Sequence, residues 1–154
     1  MIKRQAMILG AFLVFCSLSI QAEAIGSAFG YSLGMPMSEV KVVSEVTLES
    51  GEKMKEVEAA EDGNLQRILV GTTSDDKYIA RIMGESPPMA VADCKKQLSK
   101  TLEILRQRHS NSSYYALDDA EMIYEADKTI HLQCETTGNL SRLIIDYRDD
   151  KTWK

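Results

Sequence analysis

Two cysteines are the residues of this chain best placed to form a bond with each other. Cys94 and Cys134 lie 40 positions apart without a CxxC spacing, and only His109 and His131 could join them as metal ligands. That set is poor for a metal site, which usually draws on closely spaced Cys and His. Two cysteines in an oxidising compartment pair by default, and the N-terminal 24 residues have the pattern of a signal that exports the chain to one. We therefore predict a Cys94–Cys134 disulfide and expect no metal and no cofactor.

Neither histidine has the neighbours that catalysis requires. A catalytic Ser or Cys needs a base held beside it, usually His. No HExxH or GxSxG motif surrounds His109 or His131. His109 follows a basic helix end, so we expect it to cap that helix or contact solvent. His131 alternates with apolar residues and should face solvent. These patterns favour a protein that is not an enzyme.

Acidic side chains are the other candidates for acid–base work. A pair of carboxylates can act as general acid and base, but their separation cannot be read from a sequence. Every cluster falls in a predicted turn or at a strand end, where Asp makes local hydrogen bonds. No DxDxDG calcium loop is present. We expect solvated turns and keep a carboxylate-dependent hydrolase as an alternative. The clusters are Asp118, Asp119 and Glu121; Asp75 and Asp76; and Asp146, Asp149 and Asp150.

Four aromatic residues are candidates for contact with a partner. Tyr114 and Tyr115 lie in a predicted loop, and Phe29 and Tyr31 lie in the glycine-rich segment 26–34. Aromatic side chains on loops are typical binding anchors. Packing into small satellite cores is the alternative.

The N-terminal 24 residues have the pattern of a secretory signal peptide. Lys3 and Arg4 precede an apolar run over 6–20, and an Ala-Glu-Ala site follows at 22–24. The run is shorter than the roughly 20 apolar residues that a bilayer span needs. A lipid anchor on Cys16 is not expected, because a bulky Phe precedes it. An uncleaved N-terminal anchor is the alternative. We predict a periplasmic or secreted bacterial protein with a single domain over 25–154.

The predicted mature domain is acidic. Cleavage leaves 16 basic and 22 acidic side chains, a net charge of −6 with histidine neutral. Such a charge disfavours nucleic acid and anionic lipid as partners. It suits a basic protein partner, although solubility alone also favours it. Cleavage also removes Cys16, which leaves an even number of cysteines.

Apolar periodicity predicts an α+β fold. A spacing of three over 37–46 predicts a short N-terminal helix, with a strand over 41–48 as the alternative, and a long amphipathic helix covers 89–109. Alternating residues predict two antiparallel three-stranded meanders, one before and one after the long helix in the sequence, which form either one sheet or two. Cys94 lies in the apolar stripe of that helix and Cys134 on the apolar face of its strand, so both should meet in one interface. The predicted strands are 53–60, 65–72, 78–83, 121–126, 129–136 and 141–148, with a turn at Asp62-Gly63.

One short segment resembles known exported proteins. Residues 29–40 read FGYSLGMPMSEV, in which Gly34, Met35 and Val40 match a G-M-x-x-x-x-V pattern. This resembles the BamE/SmpA-like outer-membrane assembly proteins and the β-lactamase-inhibitor-protein-like modules. The chain departs from them at 44–47, where Ser-Glu-Val-Thr replaces their L-G-x-P, and in lacking a lipid signal.

The resemblance implies protein binding rather than catalysis. Together with the export signal, it predicts a small non-enzymatic protein-binding domain of the bacterial envelope, such as an assembly factor. Its partner would be another envelope or secreted protein. An inhibitor or immunity protein for a basic envelope-acting enzyme is the alternative.

Overall fold

The computed structural model describes residues 22–59 and 64–153, and within them the chain is mostly β-structure. Eleven strands and one α-helix occur there, and nine of the strands form a single antiparallel sheet. The predicted α+β fold with a short N-terminal helix, a long helix and two three-stranded meanders is therefore wrong. The predicted Asp62-Gly63 turn and most of the predicted signal peptide lie outside the described residues. The elements are β1 Ser27–Ala28, β2 Tyr31–Ser32, β3 Val42–Thr47, β4 Lys53–Val57, β5 Arg67–Thr72, β6 Ile79–Glu85, β7 Met89–Ala90, α1 Val91–Arg108, β8 Ser113–Ala116, β9 Ala120–Glu125, β10 Lys128–Thr137 and β11 Leu140–Asp149.

The predicted N-terminal helix is a strand for most of its length. Only Met37–Glu39 is helical, as a single 3₁₀ turn, and β3 follows it. The valines explain the difference, because β-branched side chains lose rotamer freedom in a helix and pack well in a sheet. A register shift between Val42 and Ser44 places one extra residue in β3. Such a bulge interrupts the alternation of period two.

The two halves of the sheet join at their last strands. β6 pairs with β11, with Ile82 opposite Tyr147. The strand order is therefore β3-β4-β5-β6-β11-β10-β9-β8, and β7 pairs with the start of β11. This pairing turns the two predicted meanders into one sheet whose edges are β3 and β8.

The sheet has one covered face and one open face. On the covered face α1 packs against β10 and β11 and buries Cys94 and Leu105. The N-terminal segment packs on the same core and contributes the buried Ile25. The Cys94 and Cys134 sulfurs lie 2.02 Å apart and link α1 to β10, in agreement with the predicted pairing. The strand residues of this core are Val57, Ile68, Val70, Ile79, Ile82, Ile123, Ile130, Leu132, Leu143, Ile145 and Tyr147.

A smaller core lies on the open face and is closed by the C-terminal tail. It contains Met54, Leu69, Met83 and Ile144, and Trp153 packs against them. The Trp153 backbone N–H donates to the Asp149 carbonyl at 2.8 Å, which folds the tail back onto the sheet. No described helix or strand covers this face.

Gly71 makes room for Trp153, and this predicts the effect of a substitution. A Cβ at Gly71 would lie 2.7 Å from Trp153 Cη2 and 3.0 Å from Met54 Sδ. We expect Gly71→Ala to displace the indole and to lower the free energy of unfolding by about 1–3 kcal/mol, the usual cost of overpacking. Trp153 is the single tryptophan of the chain, so its fluorescence emission should shift to longer wavelength.

The matched control for this substitution is Gly26→Ala. A Cβ at Gly26 has nothing within 4 Å, so stability and emission should stay close to those of the parent protein. An unchanged emission spectrum in Gly71→Ala would show that the indole does not rest on Gly71.

Candidate functional site

The open face presents side chains in rows that run across the strands. Directly opposed residues of an antiparallel sheet share a face, so the register identifies them. One row continues through Tyr115, Met122, His131, Asp146, Met83 and Leu69. Its outer end is aromatic and its centre is charged. A neighbouring row places Arg148 beside Arg81.

A buried ion-pair network occupies the centre of this face. Asp146 is only 3% exposed and Arg81 only 5%. Arg81 Nε and Nη2 donate to the two Asp146 carboxylate oxygens at 2.9 and 2.8 Å. Arg148 Nε and Nη2 donate to Asp146 Oδ2 at 2.8 and 2.6 Å, and Arg81 Nη1 reaches Glu52 at 2.9 Å. Charge-assisted bidentate pairs of this kind fix geometry as well as energy.

The charge of Arg81 is stabilised by this network. Burial alone would lower its pKa, but the hydrogen bonds and charges of Asp146 and Glu52 outweigh burial. The pKa of Arg81 therefore lies above its ordinary value. The guanidinium also lies over the Trp153 ring, 5.5 Å from its centroid. The network and the small core beneath it thus form one unit.

A second pair lies on the same face, next to the first. Arg67 donates through Nε and Nη2 to the buried Glu85 carboxylate at 2.6 and 3.0 Å. Arg142 approaches the same carboxylate at 3.9 Å with a side chain that is 42% exposed. Arg142 therefore keeps donors free for a partner, whereas Arg81 does not.

Together these side chains line a groove of about 690 Å³. Val46, Leu48 and Leu140 also belong to its lining. The exposed charges are of both signs, so the groove suits a polar surface of mixed charge. Fixed arginines favour carboxylates that can accept two hydrogen bonds at once.

His131 is half-buried on this face, whereas its alternation with apolar residues predicted that it faces solvent. Burial and the positive charge of Arg148 lower its pKa, and Arg81 acts in the same direction. Asp146 and Asp150 oppose them but do not outweigh them. His131 is therefore expected to be neutral at pH 7.

The lowered pKa of His131 predicts a pH-dependent stability. The unfolded chain binds a proton near the ordinary pKa of 6.5, while the folded chain binds it only at lower pH. Stability is therefore fully present above pH 6.5 and decreases as the pH falls below it, with a slope of at most about 1.4 kcal/mol per pH unit. Chemical unfolding at pH 7.5 and 5.5 measures this loss. His131→Gln should have the smaller loss, and equal losses would contradict the assignment.

His109 is buried at the C-terminus of α1. The sequence predicted that it caps the helix or contacts solvent. Its backbone N–H caps the helix by donating to the Leu105 carbonyl at 2.8 Å. Its Nδ1 lies 2.7 Å from the Glu23 carbonyl. Because a carbonyl only accepts, Nδ1 is the donor of this hydrogen bond. Nε2 is buried without a partner among the described residues. Processing at the predicted site after Ala24 would remove the Glu23 carbonyl.

The carboxylate clusters do not come together. Asp118 and Asp119 are exposed in the three-residue link 117–119 between β8 and β9, and Glu121 accepts a hydrogen bond from Tyr114. Asp75 and Asp76 lie in a surface turn, where Asp76 pairs with Lys55 at 2.7 Å.

Asp146 departs from the sequence-based expectation. It lies inside β11 and is buried in the ion-pair network, not in a solvated turn. Asp149 ends the same strand, and Asp150 accepts from Thr129 at 3.1 Å. The sequence contains a signal for this network. Arg81, Asp146 and Arg148 alternate with apolar residues and therefore lie together on the face opposite the main core.

The four candidate aromatic residues lie in two places. Phe29 packs against the main core, with its ring edge-on to Tyr147 at 5.9 Å. Tyr31 also packs there and donates to the Glu58 carbonyl at 2.7 Å. Tyr114 and Tyr115 are exposed at 37% and 55% and belong to β8, which was predicted to be a loop. The tyrosines of β8 are therefore the pair that a partner can reach.

A cleft lies between the C-terminal half of α1 and β8. It has a volume of about 570 Å³ and includes Leu102, Ile123 and His109 in its lining. The Arg106 guanidinium lies over the Tyr114 ring, 4.3 Å from its centroid. The Tyr114 hydroxyl donates to Glu121 at 2.5 Å, which raises the pKa of the phenol. The cleft thus opens beside an edge strand of the sheet.

Comparisons with known proteins give no relative. No known protein family, curated protein or solved structure matches the chain. Over the described ranges 22–59 and 64–153, no helix is long and apolar enough to cross a membrane. The same ranges contain no cluster of three or more His, Cys, Asp or Glu side chains able to hold a metal ion.

Proposed function

We propose that this chain is an exported, non-enzymatic protein-binding domain of the bacterial envelope, with the open face as its principal binding surface. The observation that carries the proposal is a wide sheet face that lacks a described covering element and holds rigid, partly exposed arginines. Two hydrogen bonds to Glu85 hold Arg67, and two to Asp146 hold Arg148, while Arg142 lies 3.9 Å from Glu85. Such preorganised side chains lose little conformational entropy when a partner binds.

The size of the face agrees with this role. Eight neighbouring strands about 4.8 Å apart span about 34 Å, and six-residue strands are about 20 Å long. The product is roughly 700 Å² for the whole face, including the part that Trp153 covers, which is of the same order as the roughly 800 Å² per partner of a standard interface. The rim adds Tyr124 and Leu140, which are 40% and 45% exposed. A face with a charged centre and an apolar rim suits the surface of another protein better than a small apolar ligand.

Site-directed photocrosslinking in the native envelope tests the proposal. A benzophenone side chain at the position of Leu140 lies at the groove, and one at Lys100 lies on the exposed side of α1. We expect a discrete protein adduct from Leu140 and none from Lys100. Equal labelling from both positions, or none from either, would overturn the binding role of the open face.

A charge reversal sharpens the same experiment. Arg142→Glu should reduce the Leu140 adduct about fivefold or more, because it removes free guanidinium donors from the groove and adds a negative charge. Lys96→Glu makes the same change in net charge on the exposed surface of α1 and should leave the adduct unchanged. If both variants lose the adduct equally, net charge alone explains the effect and Arg142 has no specific role.

An inhibitor or immunity protein for a basic envelope-acting enzyme is the second candidate. The net charge of −6 in the predicted mature chain favours it, since opposite charge accelerates association. A basic muramidase is a suitable probe. Binding should weaken steeply between 50 and 300 mM salt, because the Debye length falls from about 14 Å to about 6 Å over this range. Binding that is indifferent to reversal of surface Asp and Glu would exclude this version.

A further inference from the structure

The two edges of the sheet differ in how they are protected against pairing. β3 carries a bulge at Val42 to Ser44 and the charged Glu45, and Lys41 directly precedes it. Bulges and charges are the usual means of preventing an edge strand from adding another strand. β8 has a continuous register with β9 and the sequence Ser-Tyr-Tyr-Ala. All four of its residues are exposed. β8 therefore lacks both protections.

The backbone of β8 has free hydrogen-bonding groups at known positions. The Leu117 N–H donates to the Ala120 carbonyl at 2.8 Å, which makes this a hydrogen-bonded pair of the hairpin. Such pairs alternate with non-bonded ones along an antiparallel ladder. Tyr115 therefore bonds to Met122, while Tyr114 and Ala116 direct their N–H and C=O groups away from β9. No described strand lies on that side.

The cleft beside β8 supplies a place for a side chain of an added strand. Tyr114 lies on the covered face together with Ile123, which forms part of the cleft lining. A residue opposite Tyr114 in a new strand would share that face, with its Cβ about 5 Å away. It would meet Arg106, whose guanidinium lies over Tyr114 and pairs with no carboxylate of the described residues.

We propose that β8 is a docking edge for an extended segment of the partner protein, which adds a strand to the sheet and places an acidic side chain against Arg106. The inference rests on the proposed protein-binding function and adds its mode. Main-chain hydrogen bonds to Tyr114 and Ala116 supply affinity, and the cleft supplies specificity. Tyr115 contacts the segment from the open face, so the edge and the face form one continuous surface.

Peptide titration followed by NMR tests the docking edge. The probe is an extended peptide, Thr-Val-Thr-Glu-Thr-Val-Thr, and its analogue has Lys in place of Glu. We expect amide shifts and slowed hydrogen exchange at Tyr114 and Ala116, and about fivefold tighter binding of the Glu peptide, as one exposed ion pair allows. Arg106→Gln should remove the preference. Absence of shifts in β8, or a preference for Lys, would overturn the proposal.

Two backbone variants separate strand addition from general surface contact. Ala116→Pro deletes an outward N–H without deleting a bond to β9, whereas Ala116→Ser keeps that N–H. Ala116→Pro should lose peptide binding at least tenfold, and Ala116→Ser should retain it. Thermal unfolding of both variants verifies that the sheet is intact. Equal binding by the two variants would overturn the proposal.

A second copy of the chain is the competing occupant of this edge. In sedimentation experiments the protein should be a monomer, and Ala116→Pro should not change this. A dimer that dissociates in Ala116→Pro would show that a second copy, not a partner segment, occupies the edge. The Leu140 crosslink distinguishes failure of the docking edge from failure of the proposed protein-binding function. If that adduct persists while the peptides fail to bind β8, only the docking edge is wrong. If no position on the protein gives an adduct, the proposed function falls as well.

Discussion

Replacing both Cys94 and Cys134 by Ala is expected to lower the free energy of unfolding by about 4 kcal/mol. The disulfide closes a segment with a sequence separation of 40. For a loop of that length, the loss of chain entropy in the unfolded state has this magnitude. Domains of this size are stable by about 5–15 kcal/mol, so a large fraction is removed. The melting temperature should fall by roughly 15 °C.

Reductant supplies the control for this prediction. The parent protein treated with a thiol reductant under denaturing conditions should refold to the same lower stability, because the same constraint is lost. The double alanine variant should be indifferent to reductant. Denaturant unfolding with and without reductant measures both effects. A variant within 1 kcal/mol of the oxidised parent would show that the link between α1 and β10 adds little to the fold.

Local patterns located most of the elements because the signals for them are local. Apolar residues three and four apart predicted α1 within two residues at its N-terminus and one at its C-terminus, at Val91 and Arg108. Alternation likewise predicted β10 and β11. It also placed Cys94 and Cys134 on surfaces that face each other. In each case the side chains that face the core repeat at the period of the element itself.

The arrangement of the sheet depended on contacts that the sequence does not display. Ile82 and Tyr147 are opposite each other although 65 positions separate them, and no local pattern specifies this pairing. β8 escaped prediction because Tyr114 and Tyr115 are both exposed, so the strand lacks the alternation of a half-buried one. In β3 the bulge interrupted that alternation at Val43. Periodicity therefore identified strands with one buried face. It missed the edge strand β8 and gave the edge strand β3 only as the alternative to a helix.

The candidate site was missed for a related reason. Arg81 and Asp146 lie opposite the main core in the alternation of their strands, whereas the sequence predicted a solvated turn for Asp146 and solvent exposure for His131. A second, smaller core on that side buries the first two among Met54, Leu69, Met83 and Ile144. A sequence shows that a residue lies opposite the main core, but not whether a C-terminal tail folds back over it. Opposite charges at positions that share the open face were the signal available.

Asp146→Asn is expected to destabilise the protein by about 3–5 kcal/mol, the usual cost of removing one partner from a buried ion pair. The substitution keeps the shape of the side chain but removes its negative charge and one of its two acceptor oxygens, so Arg81 and Arg148 can no longer both keep their hydrogen bonds to it. Glu52 is then the remaining carboxylate that accepts from the buried Arg81. Arg81 also lies over Trp153, so tryptophan emission should change with the loss of stability. Denaturant unfolding followed by fluorescence reports both effects.

Two controls separate the buried charge from other causes. Glu58→Gln breaks the ion pair with Lys41, in which both side chains are mostly exposed, and should change stability little because solvent screens that pair. The double variant Arg81→Met with Asp146→Leu should recover most of the stability, since an apolar pair replaces a buried ionic one at little cost. If Asp146→Asn is as stable as Glu58→Gln, the network does not carry a buried charge. If the double variant is stable but loses the Leu140 adduct, the ion pairs serve the binding surface rather than the fold.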